Sequence, residues 1–159
     1  MIDEVIIRPL RAEDAPALET FYNGLGRDTI RLFHPLGWNV SLSDTVGVCE
    51  AAARGERYDL VLDHAGSIVG WAFLANMNTD TLLFGIGIAE TYRGRGFGRR
   101  LMQGLIDEAL RRGKKHIELT VVQTNIRARK LYENFGFKVT GALTGKDDGL
   151  DYFKMALEL

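Results

Sequence analysis

The stretch Thr81–Gly113, TLLFGIGIAETYRGRGFGRRLMQGLIDEALRRG, constrains this chain more than any other. It opens with an apolar run, Thr81 to Ile88, interrupted by Gly85 and Gly87. A glycine–arginine loop follows, then a helical pattern. Leu101, Met102, Leu105, Ile106, Ala109 and Leu110 recur at i, i+1, i+4 and i+5, so they form one apolar stripe and predict a helix over Gly98–Arg112. At 1.5 Å per residue that helix is roughly 20 Å long. Arg111 and Arg112 complement the dipole in its last turn, and Gly113 suits the left-handed residue that ends it. Gly104 inside the helix costs about 1 kcal/mol relative to Ala, which suggests either close packing against another backbone or, equally, a tolerated glycine.

Strand, glycine loop and helix in that order build an anion site, because the first helical N–H groups have no partner within the helix. The loop is neither of two familiar phosphate motifs. A P-loop needs Lys-Ser/Thr after its last glycine, and Gly98 is followed by Arg99-Arg100. The dinucleotide fingerprint spaces its glycines as G-x-G-x-x-G, whereas Gly94, Gly96 and Gly98 alternate. What remains is a run of bare amides backed by Arg93, Arg95, Arg99 and Arg100, which suits a pyrophosphate-sized anion. On the loop alone, a solvated basic turn is an equal reading.

Glycine weakens a strand, so Gly85 and Gly87 need a reason: a bulge, or close approach of a ligand to the backbone. An exposed strand edge beside an anion site can bind an amide-bearing arm by β-like hydrogen bonds.

The rest of the chain reads as a single α+β domain over 1–159. Glu4–Arg8 is a strand ending at Pro9. Ala12–Phe21 is a helix with Ala17, Leu18 and Phe21 on one face, and Asp28–Phe33 a short second helix. Arg31 to Trp38 is an aromatic-rich segment that either caps the core or forms a mobile acceptor-side loop; core capping is favoured, and His34 reads as a packed or exposed histidine. Ser43–Arg54 is a helix capped by Ser43 or Asp44. Arg57–Asp63 and Ser67–Ala75 are strands joined through His64-Ala65-Gly66. His116–Val122 alternates Ile117, Leu119 and Val121 against His116, Glu118 and Thr120, and as a strand–helix–strand crossover it runs parallel to Thr81–Ile88. A helix capped by Asn125 or Thr124 puts Ala128, Leu131 and Phe135 on one side and stops at Gly136. Phe137–Leu143 and Tyr152–Leu157 form a hairpin around Gly145–Gly149. The sum is a mixed sheet of six or seven strands with helices on both faces.

Composition excludes several classes. The net charge of −1 lacks the basic excess of a nucleic-acid binder. Cys49 is the single cysteine, so there is no internal disulfide and no cysteine-based metal site. No apolar run approaches the ~20 residues of a membrane span, and the start MIDEVII lacks the pattern of a signal peptide, so the expected compartment is cytoplasmic and no membrane partner is expected. A homodimer is left open among the partners.

Two segments together carry a resemblance. Arg93-Gly94-Arg95-Gly96-Phe97-Gly98 matches the Q/R-x-x-G-x-G/A signature of the GNAT family of N-acetyltransferases. Asn125 to Phe137, NIRARKLYENFGF, resembles that family's N-x-x-A-x-x-L-Y-E-x-x-G-F segment. The likeness covers Thr81–Phe137. It implies a mostly antiparallel sheet whose central parallel strand pair splays apart, with acetyl-CoA as co-substrate and no metal. Arg93, Gly94, Arg95, Gly96, Phe97, Gly98 and Arg99 are then expected to hold the pyrophosphate. Ile86, Gly87 and Ile88 are expected to pair with the pantetheine amides, and Asn125 to act as both cap and pantetheine contact. Tyr132 stands where the family often carries a tyrosine whose hydroxyl reaches the thioester sulfur; offset from the Leu131 stripe, it need not be core.

The implied activity is acetyl transfer to a primary amine. The departing thiolate benefits from a proton donor, and the amine must lose protons to attack. Asp80, Glu118 or a water chain are open as the base. The acceptor is open among small amines, amino acids and protein amines. A CoA sensor without turnover, or an interaction module on the same fold, would instead bind without catalysis.

Overall fold

The computed structural model describes residues 4–146 and 148–159. The expected loop Gly145–Gly149 includes Asp147, which lies outside the described residues, as do residues 1–3 of the expected single domain.

The strands are β1 (Val5–Pro9), β2 (Tyr58–His64), β3 (Ser67–Ala75), β4 (Leu82–Ile88), β5 (His116–Val122), β6 (Lys138–Leu143) and β7 (Tyr152–Glu158). The helices are α1 (Ala15–Asn23), α2 (Arg27–Leu32), α3 (Leu42–Ala53), α4 (Phe97–Arg111) and α5 (Ile126–Asn134). One sheet of order β1-β2-β3-β4-β5-β7-β6 contains them all, and only β4–β5 is parallel. The β2–β3 hairpin closes through Ala65 (φ 53°) and Gly66 (φ 90°), two consecutive left-handed residues of the kind that match strand twist.

The pleat sends alternate residues to opposite faces and so divides the core in two. On one face α4 and α5 cover Leu60, Leu62, Ala72, Leu74, Leu82, Phe84, Ile117 and Leu119. On the other, α1, α2 and α3 cover Val61, Trp71 and Phe73. The α4 stripe is buried as its periodicity predicts, from Leu101 to Ala109, while Leu110 is exposed. Gly104 serves a close approach, but to a side chain: a Cβ there would lie 2.8 Å from Leu60 Cδ1.

Three local expectations change. Helix α3 is capped by Ser41, not Ser43 or Asp44. The Ser41 hydroxyl accepts from Asp44 N at 3.1 Å, and Asp44 Oδ2 accepts from Ser41 N at 2.9 Å, a reciprocal box that starts the helix two residues earlier than Ser43 alone would. Helix α4 begins at Phe97, with left-handed Gly96 as its cap. Of the two readings of Gly85 and Gly87, the bulge is the one that the ladder excludes: β3 and β4 pair without interruption from Gly70–Ile88 to Ala75–Leu83. The two glycines instead make room for aromatic rings. A Cβ on Gly85 would stand 2.4 Å from Phe73 Cζ, and one on Gly87 would stand 2.3 Å from Phe33 Cδ2.

Among the described residues no helix is long and apolar enough to cross a membrane.

Candidate functional site

β4 and β5 pair only at Leu82–Ile117 and Leu83–Glu118. Beyond that point they part, and a groove of about 370 Å³ opens between them. Its walls are Phe84 to Ile88, Thr120 and Val121, with the glycine loop at one end and α5 across one side.

The exposed edge of β4 has a definite polarity. Ala89 N donates to Val69 O at 2.9 Å, so Ala89–Val69 is a hydrogen-bonded pair. Such pairs alternate along an antiparallel ladder. Gly87, opposite Trp71, therefore turns its N–H and C=O toward β3. Ile86 and Ile88, opposite Ala72 and Gly70, turn theirs toward the groove. Gly87 contributes a bare wall rather than a donor or acceptor. The Ile88 carbonyl is already engaged by Arg93 Nε at 3.3 Å.

The loop is a nest of amides. Gly94 (φ 74°) and Gly96 (φ 84°) are left-handed, and Gly96 is followed directly by helical Phe97, an alternation that turns successive N–H groups to one side. It leads into α4, a helix of 15 residues whose first turn contains no acidic side chain. A Cβ on Gly96 would meet nothing within 4 Å, while one on Gly98 would stand 3.3 Å from Leu131 Cδ2, so Gly98 lets α4 pack on α5. Arg95 lies over the Tyr92 ring at 5.1 Å and Arg99 over Phe135 at 5.9 Å. Among the described residues, neither has a carboxylate partner. Arg93 is different: besides Ile88 O, its guanidinium donates to the Thr29 hydroxyl.

Tyr132 is more deeply placed than its offset from the Leu131 stripe predicts. It is the buried residue of α5, whereas Ala128 and Leu131 are half-buried. Its ring stands edge-on to Phe84 at 5.6 Å and tilted on Phe137 at 6.0 Å. Among the described residues the hydroxyl has no hydrogen-bond partner, and no fully enclosed side-chain oxygen lacks one, so it opens onto the groove that the residue lines. Burial pushes the phenol above its ordinary value, keeping it protonated and able to donate at neutral pH. Asn125, not Thr124, caps α5: its Oδ1 accepts from Ala128 N at 3.3 Å, and the residue lines the groove.

Neither carboxylate considered as a base lines the groove. Asp80 is exposed ahead of β4. Glu118 sits at the paired end of β5 and meets His116 Nε2 at 3.1 Å. Among the described residues no group of three or more His, Cys, Asp or Glu side chains could hold a metal ion.

Sequence reasoning missed the groove's second lip. Phe33 packs edge-on to Trp71 at 5.8 Å and over Gly87, so the Arg31–Trp38 segment caps the core as expected and also walls the groove with Leu32. Thr29, Tyr92 and Arg127 line it too. Glu90 accepts from Thr29 Oγ1 at 2.5 Å and Gly26 N at 2.9 Å, tying α2 to the turn before the loop; the Thr29 hydrogen bond holds its carboxyl below the usual range. Tandem glycines in β4 were the available signal, since they call for large rings nearby as readily as for a ligand.

A parallel pair that splays apart with a left-handed glycine loop at its mouth is the arrangement that the family resemblance implies. The model of the Acetyltransferase (GNAT) family matches residues 24–137, and the chain belongs to that family. Over 85 residues it is 39% identical to the [ribosomal protein bS18]-alanine N-acetyltransferase of Haemophilus influenzae, covering 53% of this chain and 58% of that protein. It is 30% identical over 115 residues to the spermine/spermidine N(1)-acetyltransferase of Bacillus subtilis, covering 65% of this chain and 76% of that one. The structure of YncA from Salmonella typhimurium, solved with its cofactor acetyl-CoA, has a TM-score of 0.80 at 25% identity, covering 98% of this chain and 94% of that chain. The chain thus spans less than two thirds of the length of the bS18-alanine acetyltransferases it matches.

Proposed function

We propose that this chain is an acetyl-CoA-dependent N-acetyltransferase, acting as one domain over 1–159 in the cytoplasm, with a primary amine as acceptor. The observation that carries the reading is the open edge of β4, with its Ile86 and Ile88 groups free of β3, running into the nest at Gly94–Gly96. An extended arm with amides along it and a pyrophosphate at its end matches both parts at once. The relatives' names and the acetyl-CoA in YncA support the same reading.

In this arrangement the nest, the α4 N-terminus, Arg95 and Arg99 hold the pyrophosphate. Ile86 and Ile88 align the pantetheine arm, and Asn125 contacts it while capping α5. The amine nitrogen forms a bond to the thioester carbon and the carbon–sulfur bond breaks. Tyr132 gives its proton to the departing sulfur and is reprotonated from solvent through the groove. The amine's protons leave through water, because the charged side chains lining the groove are arginines and none can act as a base.

The test pairs acetyl-CoA calorimetry with release of CoA thiol against a panel of primary amines. The reading expects binding in the micromolar range and amine-dependent thiol release. Binding without turnover on any amine points to a sensor, and absence of binding to an interaction module.

A further inference from the structure

We infer that Thr29 is a positioning residue for the cofactor: backed by Glu90, its hydroxyl fixes Arg93 at the open edge of β4 before acetyl-CoA arrives. This rests on the acetyl-transfer reading above. Arg93 stands apart from Arg99 and Arg127, the other arginines that line the groove, because among the described residues it alone of the three donates hydrogen bonds to the protein. Its Nε donates to Ile88 O at 3.3 Å and its Nη2 to the Thr29 hydroxyl, while Nη1 has no partner among the described residues. The guanidinium is held along one side and open on the other. A long side chain ordered in advance loses less freedom on meeting a ligand than one the ligand must order. The bond to Ile88 has a second use. An arm lying along β4 covers the Ile88 carbonyl, and a covered carbonyl without a donor is costly. Arg93 supplies that donor wherever the arm brings none.

Arg93 is held by the direction of one proton. A hydroxyl has one hydrogen to donate and two lone pairs that accept. Thr29 donates its hydrogen to Glu90 Oε1 at 2.5 Å, which leaves its lone pairs for Arg93. Glu90 is fixed in turn. The same carboxylate oxygen accepts from Gly26 N at 2.9 Å, and a Cβ on Gly26 would stand 2.7 Å from it, so glycine is what lets the backbone come this close. Thr29 is 2% exposed, so water has little access to compete for the hydroxyl. Gly26 caps α2 and Thr29 lies in its first turn, while Glu90 and Arg93 flank the turn at Tyr92. A chain of hydrogen bonds from Gly26 through Glu90, Thr29 and Arg93 to Ile88 thus joins a helix outside the Thr81–Phe137 motifs to the strand edge that receives the arm.

Acetyl-CoA affinity is measured by calorimetry in wild type, Thr29→Val, Thr29→Ser, Arg93→Gln and the Thr29→Val/Arg93→Gln double variant. Thr29→Val keeps the shape of the side chain and removes the hydroxyl. Its affinity is expected to fall about fivefold or more, with Thr29→Ser within about twofold of wild type. Because Thr29 acts through Arg93, the double variant is expected to bind no more weakly than Arg93→Gln alone. Losses that multiply in the double variant mean that Thr29 acts on α2 independently of Arg93, and they overturn the inference. So does wild-type affinity in Thr29→Val or Arg93→Gln, or a Ser variant as weak as the Val variant. In the wild-type protein the Arg93 Nε–H is expected to exchange with water more slowly than those of Arg95 and Arg99, followed by NMR with labelled arginine. Equal exchange overturns the inference even if Thr29→Val does not fold. Wild type that does not bind acetyl-CoA sinks the acetyl-transfer reading and this inference with it, whereas wild type and Thr29→Val that bind equally sink this inference alone.

Discussion

The two ends of the β4–β5 pair have opposite characters. At the closed end, Leu82 and Leu83 pair with Ile117 and Glu118, and His116 draws Glu118 and Glu158 together beside them. At the open end the same two strands share no ladder, and what lies between them is side chain and space. Phe84 and Tyr132 pack edge-on along one face of the gap, and Phe33 lies over Gly87 on the other. The closed end satisfies backbone groups with backbone groups. The open end leaves them for something else, and an unpaired strand edge is a template for any extended chain that carries amides. One short stretch of parallel pairing thus anchors the strands, while their divergence makes the site.

Substitutions at the two ends should therefore separate cleanly. The largest effect is expected at Gly96. Its left-handed backbone is one that Asp tolerates better than most residues, and a Cβ there meets nothing, so Gly96→Asp sets a carboxylate where phosphate oxygens would lie without a clash. Acetyl-CoA affinity should fall by more than tenfold, over about 1.4 kcal/mol, by calorimetry. Gly98→Asp would confuse the result, because its Cβ meets Leu131.

Next is Tyr132→Phe, which keeps the ring against Phe84 and Phe137 and removes an oxygen with no partner among the described residues. kcat should drop roughly tenfold, the low end for general acid catalysis because a thiolate is already a fair leaving group. Acetyl-CoA affinity and melting temperature should hold. Full kcat in the Phe variant would return Tyr132 to a packing role.

A smaller effect is expected at Asn125. Asn125→Ala should cost ~1 kcal/mol of stability through the lost bond to Ala128 N. Asn125→Ser should restore the cap but not the reach into the groove. Equal acetyl-CoA affinity in the Ser variant and wild type would leave only the cap.

The smallest lies at the closed end. The hydrogen bond to Glu118, with Glu158 adding to it, raises the His116 value above its ordinary 6.5. A group whose folded value is raised contributes stability fully below 6.5 and loses it as pH rises through the folded value. The ring is partly exposed, so solvent screening limits the effect to less than about 1 kcal/mol. His116→Gln should flatten that part of the stability–pH curve in denaturant titrations and leave acetyl-CoA binding unchanged.

The sequence made the α4 stripe, the alternation in β5 and the order of elements legible, because each is a local period repeated within a few turns. The conformation of the glycine loop was legible for the same reason: alternating glycines beside a helix start describe a local geometry. The groove's other lip was not. Phe33 reaches Gly87, and His34 reaches Asp148, across more than fifty residues of chain, and nothing in either segment names its partner. The depth of Tyr132 escaped as well, since helical phase gives a direction but not the position of Phe84 and Phe137 around it. Ser41 was passed over for Ser43 because both can cap and only the register to Asp44 decides between them.

The central claim is that the open edge of β4 receives an amide-bearing arm, and site-resolved amide hydrogen exchange with and without acetyl-CoA tests it most directly. The Gly87 N–H, turned toward Trp71 in β3, should be protected in both states. The Ile86 and Ile88 N–H groups, turned toward the groove, should exchange rapidly in the free protein and slow markedly when acetyl-CoA is bound. Saturating acetyl-CoA with no slowing at either isoleucine, or slowing at Gly87 in their place, would contradict the account.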